Sequence, residues 1–230
     1  MADPRVSVPE ALNTLSAGLV LISAFAMVAT RQMQGVVRFF VVQSLLLSTS
    51  CFLIGYSRSS EHLWALGGIT LAAKVIAIPL ILRRLLPGEY YERREISQAV
   101  NIPASLLISL LLVVISEFLV GPVAAVSRDP VIRTNLPIGL AGVLIGAYSL
   151  IARREAIPQL IGILAMENGA FFAGIAIAGE LPLIAELGVA VGVMLIAIVI
   201  GLLTRNIRQK LGTTEAATLS ELKEEAMPWR

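Results

Sequence analysis

The sequence predicts an all-α, polytopic membrane protein with about seven transmembrane helices. Of its 230 residues, 57% are hydrophobic and only 15% charged, with a mean hydropathy of +0.83; a soluble domain carries about 25% charged residues. The apolar runs approach or exceed the roughly 20 residues a spanning helix needs. They also lack the alternation of polar and apolar positions over about 10 residues that marks barrel strands.

Breaks made by charge and proline divide the chain into candidate spans at 8–30, 39–56, 63–82, 102–120, 136–151, 157–179 and 181–203. The first contains Ala24-Phe25-Ala26, which mimics a leader cleavage site. Asp3, Arg5 and Glu10 before it make a mixed rather than a positive flank, so it is read as a span. The second is set off by Arg31 and Arg38, the third stops at Arg83, and Arg93 and Arg94 lie in the loop before the fourth. The fifth is short, and crosses a bilayer only if residues 132–136 and Ala152 extend it. The sixth follows Arg153 and Arg154, and the seventh ends before Arg205.

Alternate sides of this map differ in basic charge. One side holds 4 basic residues, Arg5, Arg58, Arg128 and Arg133; the other holds 13, and Lys74 lies within a span. The positive-inside rule then places the amino terminus outside and the carboxyl terminus in the cytoplasm, which an odd number of spans requires. A capping-box spacing, Thr218 with Glu221, and apolar Leu219, Leu222 and Met227 suggest a short helix in the tail, either docked on a partner or solvated.

Four units follow: 1–100 with the first three spans and a cytoplasmic loop, 101–135 with a linking span and outer loop, 136–205 with the last three spans, and the tail 206–230. The two three-span units share a plan. Ala65-Leu66-Gly67-Gly68 precedes Ile76-Ala77-Ile78 much as Glu186-Leu187-Gly188 precedes Ile196-Ala197-Ile198, the triplets standing 120 residues apart. Parallel duplication and chance recurrence of common membrane residues both fit.

The net charge of +2 leaves no basic face for nucleic acid. One cysteine, Cys51, and one histidine, His62, supply no disulfide, metal cage or haem pair, so no cofactor is expected on this chain.

Four ionisable residues inside the spans carry an insertion cost of roughly 2.5 to 3.5 kcal/mol at a helix centre and so need a reason. Glu167 is the eleventh residue of its span and Lys74 the twelfth of its own, both near mid-membrane. Glu117 lies toward the outer end of the fourth span, and Glu186 near the outer surface of the seventh, within snorkelling reach of water. For Lys74 and Glu167, depth and the rarity of such charges favour a proton relay over a fixed ion pair joining two helices, whereas Glu117 fits either and Glu186 fits an interfacial position. Gln43 and Asn168 either extend a hydrogen-bonded path or pack helices together. Ala165, Gly169 and Ala173 form a small-residue stripe beside Glu167, and Gly188 with Gly192 makes a GxxxG, both marking close helix contact. Met166 and Phe171 are read as packing residues.

From Arg153 through Ile157-Pro158-Gln159 to Met166-Glu167-Asn168-Gly169, the sequence resembles the E-type membrane subunit of hydrogenase 4, a formate hydrogenlyase-type complex. Ala73-Lys74-Val75-Ile76-Ala77-Ile78-Pro79-Leu80-Ile81 resembles that family's intramembrane lysine helix, and Gly212-Thr213-Thr214 matches its tail. The resemblance implies a non-catalytic subunit of the cytoplasmic (inner) membrane of a prokaryote. Its implied partners are antiporter-like and quinone-subunit-like membrane subunits and, indirectly, a soluble arm holding a NiFe centre and iron–sulfur clusters. Over its last three helices that family is similar to the K-type subunit of respiratory complex I and to the C subunit of multisubunit sodium/proton antiporters. Their second-helix glutamate falls at Leu164, one near-turn before Glu167, on a shared face. Their third-helix acid falls near Gly192, where this chain has none, which leaves Lys74 or Glu117 for the second relay position.

Overall fold

The computed structural model describes residues 7–85, 96 and 98–177. The expected seventh span, Glu186, Gly188, Gly192, the tail and Arg93 with Arg94 lie outside the described residues.

Within the described residues the chain is all helical, with six helical segments long and apolar enough to cross a membrane. Helix α1 (Val8–Ala29) opens on a capping box in which Ser7 and Glu10 each satisfy the other's backbone amide. Helix α2 (Met33–Arg58) begins earlier than the expected 39 and includes an exposed Arg38. Charge limits how deep a residue sits in a bilayer, whereas the helical ladder continues through it. Ser59, at φ 51°, ends α2, and the Ser60 amide caps the carbonyl of Gly55.

The third crossing is composite: α3 (Glu61–Thr70), a wide π-helical stretch over Leu71–Ala77, and α4 (Ile78–Leu85). The Ile78 amide bonds the carbonyl of Ala73, five residues back. Pro79 follows at once, and a proline has no amide to give and crowds the carbonyl four residues earlier. The widened ladder accommodates it, with Lys74 at its centre.

Helix α5 (Ile102–Val126), capped by Asn101, runs through Pro122 past the expected end at 120. Helix α6 (Pro130–Ala152) takes in residues 132–136 and Ala152, the extension the short fifth span needs. Its start is set by Asp129, which accepts from the Val131 amide, and by Pro130 in the first turn. Helix α7 is Ala156–Ile177.

Successive helices run antiparallel, so one end of the bundle gathers Ser7, Ser59 and Asp129 and the other gathers Arg31, Ala99 and Arg153. Helices α6 and α7 approach closest: a Cβ added at Gly142 would stand 3.1 Å from the Cα of Gly169, and one at Gly146 only 2.5 Å from the Met166 amide nitrogen. At the Arg153 end a strap crosses the bundle, the Ile96 amide bonding the Arg31 carbonyl and the Ala99 amide the Ala152 carbonyl.

Three apolar clusters fill the described interior, the smallest of them Ala24, Val28 and Ile145 between α1 and α6. Met33, Phe40, Ile78, Leu82, Ile161 and Ala165 belong to the cluster nearer the Arg153 end, and Ala17, Leu47, Cys51, Leu66, Phe172 and Ile175 to the one nearer the Ser7 end. Between them, on three helical segments at once, lie Gln43 and Ser44, Thr70 and Lys74, and Asn168, all buried. The polar residues thus form a layer closed above and below by hydrocarbon.

Candidate proton-relay site

The layer is organised around the Lys74 ammonium, which is only 2% exposed. Its Nζ donates to Asn168 Oδ1 at 2.9 Å, stands 3.2 Å from Glu167 Oε1, and lies 4.7 Å from the centroid of the Phe171 ring. Asn168 relays this contact to α2, its Nδ2 donating to Ser44 Oγ at 2.8 Å and to Gln43 Oε1 at 3.3 Å. The π-helical stretch turns Lys74 toward α7, where Glu167, Asn168 and Phe171 occupy one turn. Glu167 is at the middle of a 22-residue helix, about 17 Å from its start.

Oε1 of Glu167 stands within 3.2 Å of the ammonium, and no other described side chain donates to either Glu167 oxygen. Gln43 Nε2 is likewise unpartnered. Such groups are costly in a low-dielectric interior.

Toward the Ser7 end, at the level of the second apolar cluster, a further buried polar group joins three helices. Asn13 Nδ2 donates to Asn135 Oδ1 at 2.9 Å, and Ser50 donates its hydroxyl to Asn13 Oδ1. Asn13 also lines a cavity of about 290 Å³ with Glu10, Ser57, Arg58 and Asp129, large enough for several waters. Arg58 and Asp129 pair across its wall.

At the opposite end the buried Arg153 guanidinium gathers helix ends, donating to the Met27 carbonyl at 2.6 Å and to Ser149 Oγ at 3.2 Å. Burial pulls this guanidinium down to about 10, and Glu155 beside it pulls the other way. It remains a cation at neutral pH, placed at the carboxyl end of α1 where the helix dipole favours positive charge.

Of the residues singled out in the sequence, the structure brings Lys74, Glu167, Asn168 and Gln43 together. Gly169 and Ala173 meet α6, while Ala165 is buried in the cluster nearer the Arg153 end. Glu117 stands apart, exposed on α5. Phe171, read as packing, also faces the ammonium. Among the described residues no three His, Cys, Asp or Glu side chains converge as metal ligands.

Comparison with known proteins yields a relative 30% identical over 214 residues, the uncharacterized protein Rv0085 of Mycobacterium tuberculosis, spanning 93% of this chain and 96% of that one. Hydrogenase-4 component E of Escherichia coli K12 is 26% identical over 215 residues, 90% of this chain and 95% of that one, and the component E of Shigella flexneri matches equally. The chain belongs to the family of the mycobacterial protein and is related to component E of hydrogenase 4. No family model and no solved structure matches. The matches run nearly the full length of this chain and of each relative.

Reading the sequence did not find Asn13, Ser50 and Asn135, Gly139, Gly142 and Gly146 on α6, or the burial of Arg153 and Glu155. Gly139, Gly142 and Gly146 had a detectable signal, three glycines on one helix facing a small-residue stripe on the next. For Asn13 there was none, since an asparagine one turn into a first span looks like a flank.

Proposed function

We propose that this chain is a membrane subunit of a NiFe-hydrogenase-like, complex I-related assembly, in which it relays protons and joins antiporter-like subunits to the redox arm. The name of the component E relatives supports membership of a hydrogenase assembly. The observation that carries the relay is the Lys74–Glu167 pair, 3.2 Å apart at mid-span and linked through Asn168 to Gln43 and Ser44. A proton passing from Nζ to Oε1 leaves both groups neutral. Burial penalises charge, so it narrows the gap between the ionised and neutral forms. Asn168 and the Phe171 ring hold the ammonium in place, and the apolar clusters on either side keep the layer from acting as an open pore.

The chemistry of hydrogen takes place on other subunits, which carry the NiFe centre and the iron–sulfur clusters. In this reading the Ser7 end faces outside, the Arg153 end faces the cytoplasm of a prokaryote, and the cavity beside Asn13 is the wet approach to the layer from outside.

Glu167→Gln keeps shape and hydrogen-bonding capacity but cannot ionise. A relay predicts an assembled complex with impaired proton translocation. A static pair predicts lowered assembly, because Lys74 is left unpaired, and recovery when Lys74→Met is added. Normal pumping by a fully assembled Glu167→Gln complex defeats the relay.

A further inference from the structure

Helix α5 is the least enclosed of the crossings, with only 11% of its apolar stretch buried. Leu107, Leu110, Leu111, Val114 and Phe118 are each more than half exposed, Phe118 at 81%. Hydrocarbon alone would satisfy such a face were it not for Glu117, exposed in the same stripe beside Val114 and Phe118. Among the described residues none makes a hydrogen bond or ion pair with it.

Depth makes this costly. The 25-residue helix is about 37 Å long, and Glu117 lies nine residues, about 13 Å, from its Val126 end. The hydrocarbon is about 30 Å thick, so a centred α5 has this carboxylate about 10 Å inside it. The side chain leans one turn toward the near surface, where Gly121 has no Cβ to obstruct it; a Cβ there would stand 2.9 Å from Oε1. That reach is about half of what snorkelling to water would require.

Among the described residues none is paired with Glu117, and Arg133, the basic side chain at the near end of α5, donates to the Ser127 and Ala125 carbonyls instead. Lys74 is committed to Glu167, and residues 178–204 contain no Lys, Arg or His. A second copy docked by the same face would oppose one Glu117 to another.

We infer that the exposed stripe of α5 is the docking face for a transmembrane helix of another subunit, and that this helix presents a lysine or arginine to Glu117. The apolar side chains supply the packing surface, and the carboxylate supplies register and choice of partner, as a single buried polar residue does between helices. The inference rests on the chain's place in a multisubunit membrane complex and adds which face is used and what meets it.

The test uses the complex in its native membrane, with a photo-crosslinking residue in place of Phe118 and, as a control, of Ile22 on the exposed side of α1. The expected result is one dominant adduct from position 118, to a membrane helix of a different subunit with a Lys or Arg within one turn of the crosslinked residue. Glu117→Lys should lower its yield at least tenfold, and exchanging that basic residue for Glu should restore it. Adducts to lipid only, to a second copy of this chain, or to a helix lacking such a residue overturn the inference. If other subunits co-purify while position 118 reaches only lipid, the inference fails and the proposed function stands; if none co-purifies, both fall.

Discussion

A buried amide sets how the relay pair is held. Asn168 accepts from Lys74 and donates to Ser44 and Gln43, so Asn168→Leu removes one side of three contacts at once. Each buried polar group left unpaired costs about 1 to 3 kcal/mol. The expected outcome is a complex that unfolds at lower temperature, measured by heating the detergent-solubilised assembly, whereas Asn168→Asp keeps an acceptor for Lys74 and loses less. Lys74 and Glu167 were legible in the sequence because a charge in an apolar run is expensive wherever the chain goes, and their matched depth pointed to pairing. The hydrogen bonds to Ser44 and the stacking of Phe171 under the ammonium were not legible. Serine and phenylalanine are ordinary at helix contacts, and only the rotation of one helix against another gives these two a role.

Helix contact and helix irregularity act one level up. Gly146→Ala puts a methyl group against the Met166 backbone, which cannot swing away as a side chain can, so α6 and α7 must separate. Gly18→Ala, with nothing within 4 Å, is the matched control and should be neutral or stabilising by about 0.5 to 1 kcal/mol from helix propensity alone. A thermal-unfolding pair of curves separates the two, and equal effects would remove the close-contact account. Pro79→Ala restores the missing amide, which favours a regular ladder over the π-helical stretch and rotates Lys74 relative to Glu167. Impaired proton translocation with normal assembly is the expected result. The crossings themselves were readable as apolar runs, but their ends were not. Arg38 and Pro122 look like boundaries and are not, because an arginine on an exposed face and a proline near a helix end both leave the ladder largely intact.

At the scale of the whole molecule, the basic asymmetry of 4 against 13 residues predicts that a reporter fused after Arg205 is cytoplasmic and one fused before Val8 is outside. A tail found outside would invert the proposed route through the bundle. The polar layer between the two larger apolar clusters was invisible in the sequence, because it arises only when 43–44, 70–74 and 168 come to one level. The long-range bonds carry a consequence for biosynthesis. Asn13 Oδ1 meets Ser50 within the first hairpin, but its Nδ2 waits for an acceptor 122 residues later, and the Met27 carbonyl for a donor 126 residues later. At about 5 to 20 residues per second, the first helical hairpin, complete at Arg58, stands for roughly 4 to 19 seconds before Asn135 and Arg153 are made. Nascent chains stalled before residue 130 should therefore be bound by membrane insertion factors and cut by quality-control proteases, while chains stalled after 177 resist both. A pulse-chase experiment on staged truncations would show the change in lifetime between those two lengths.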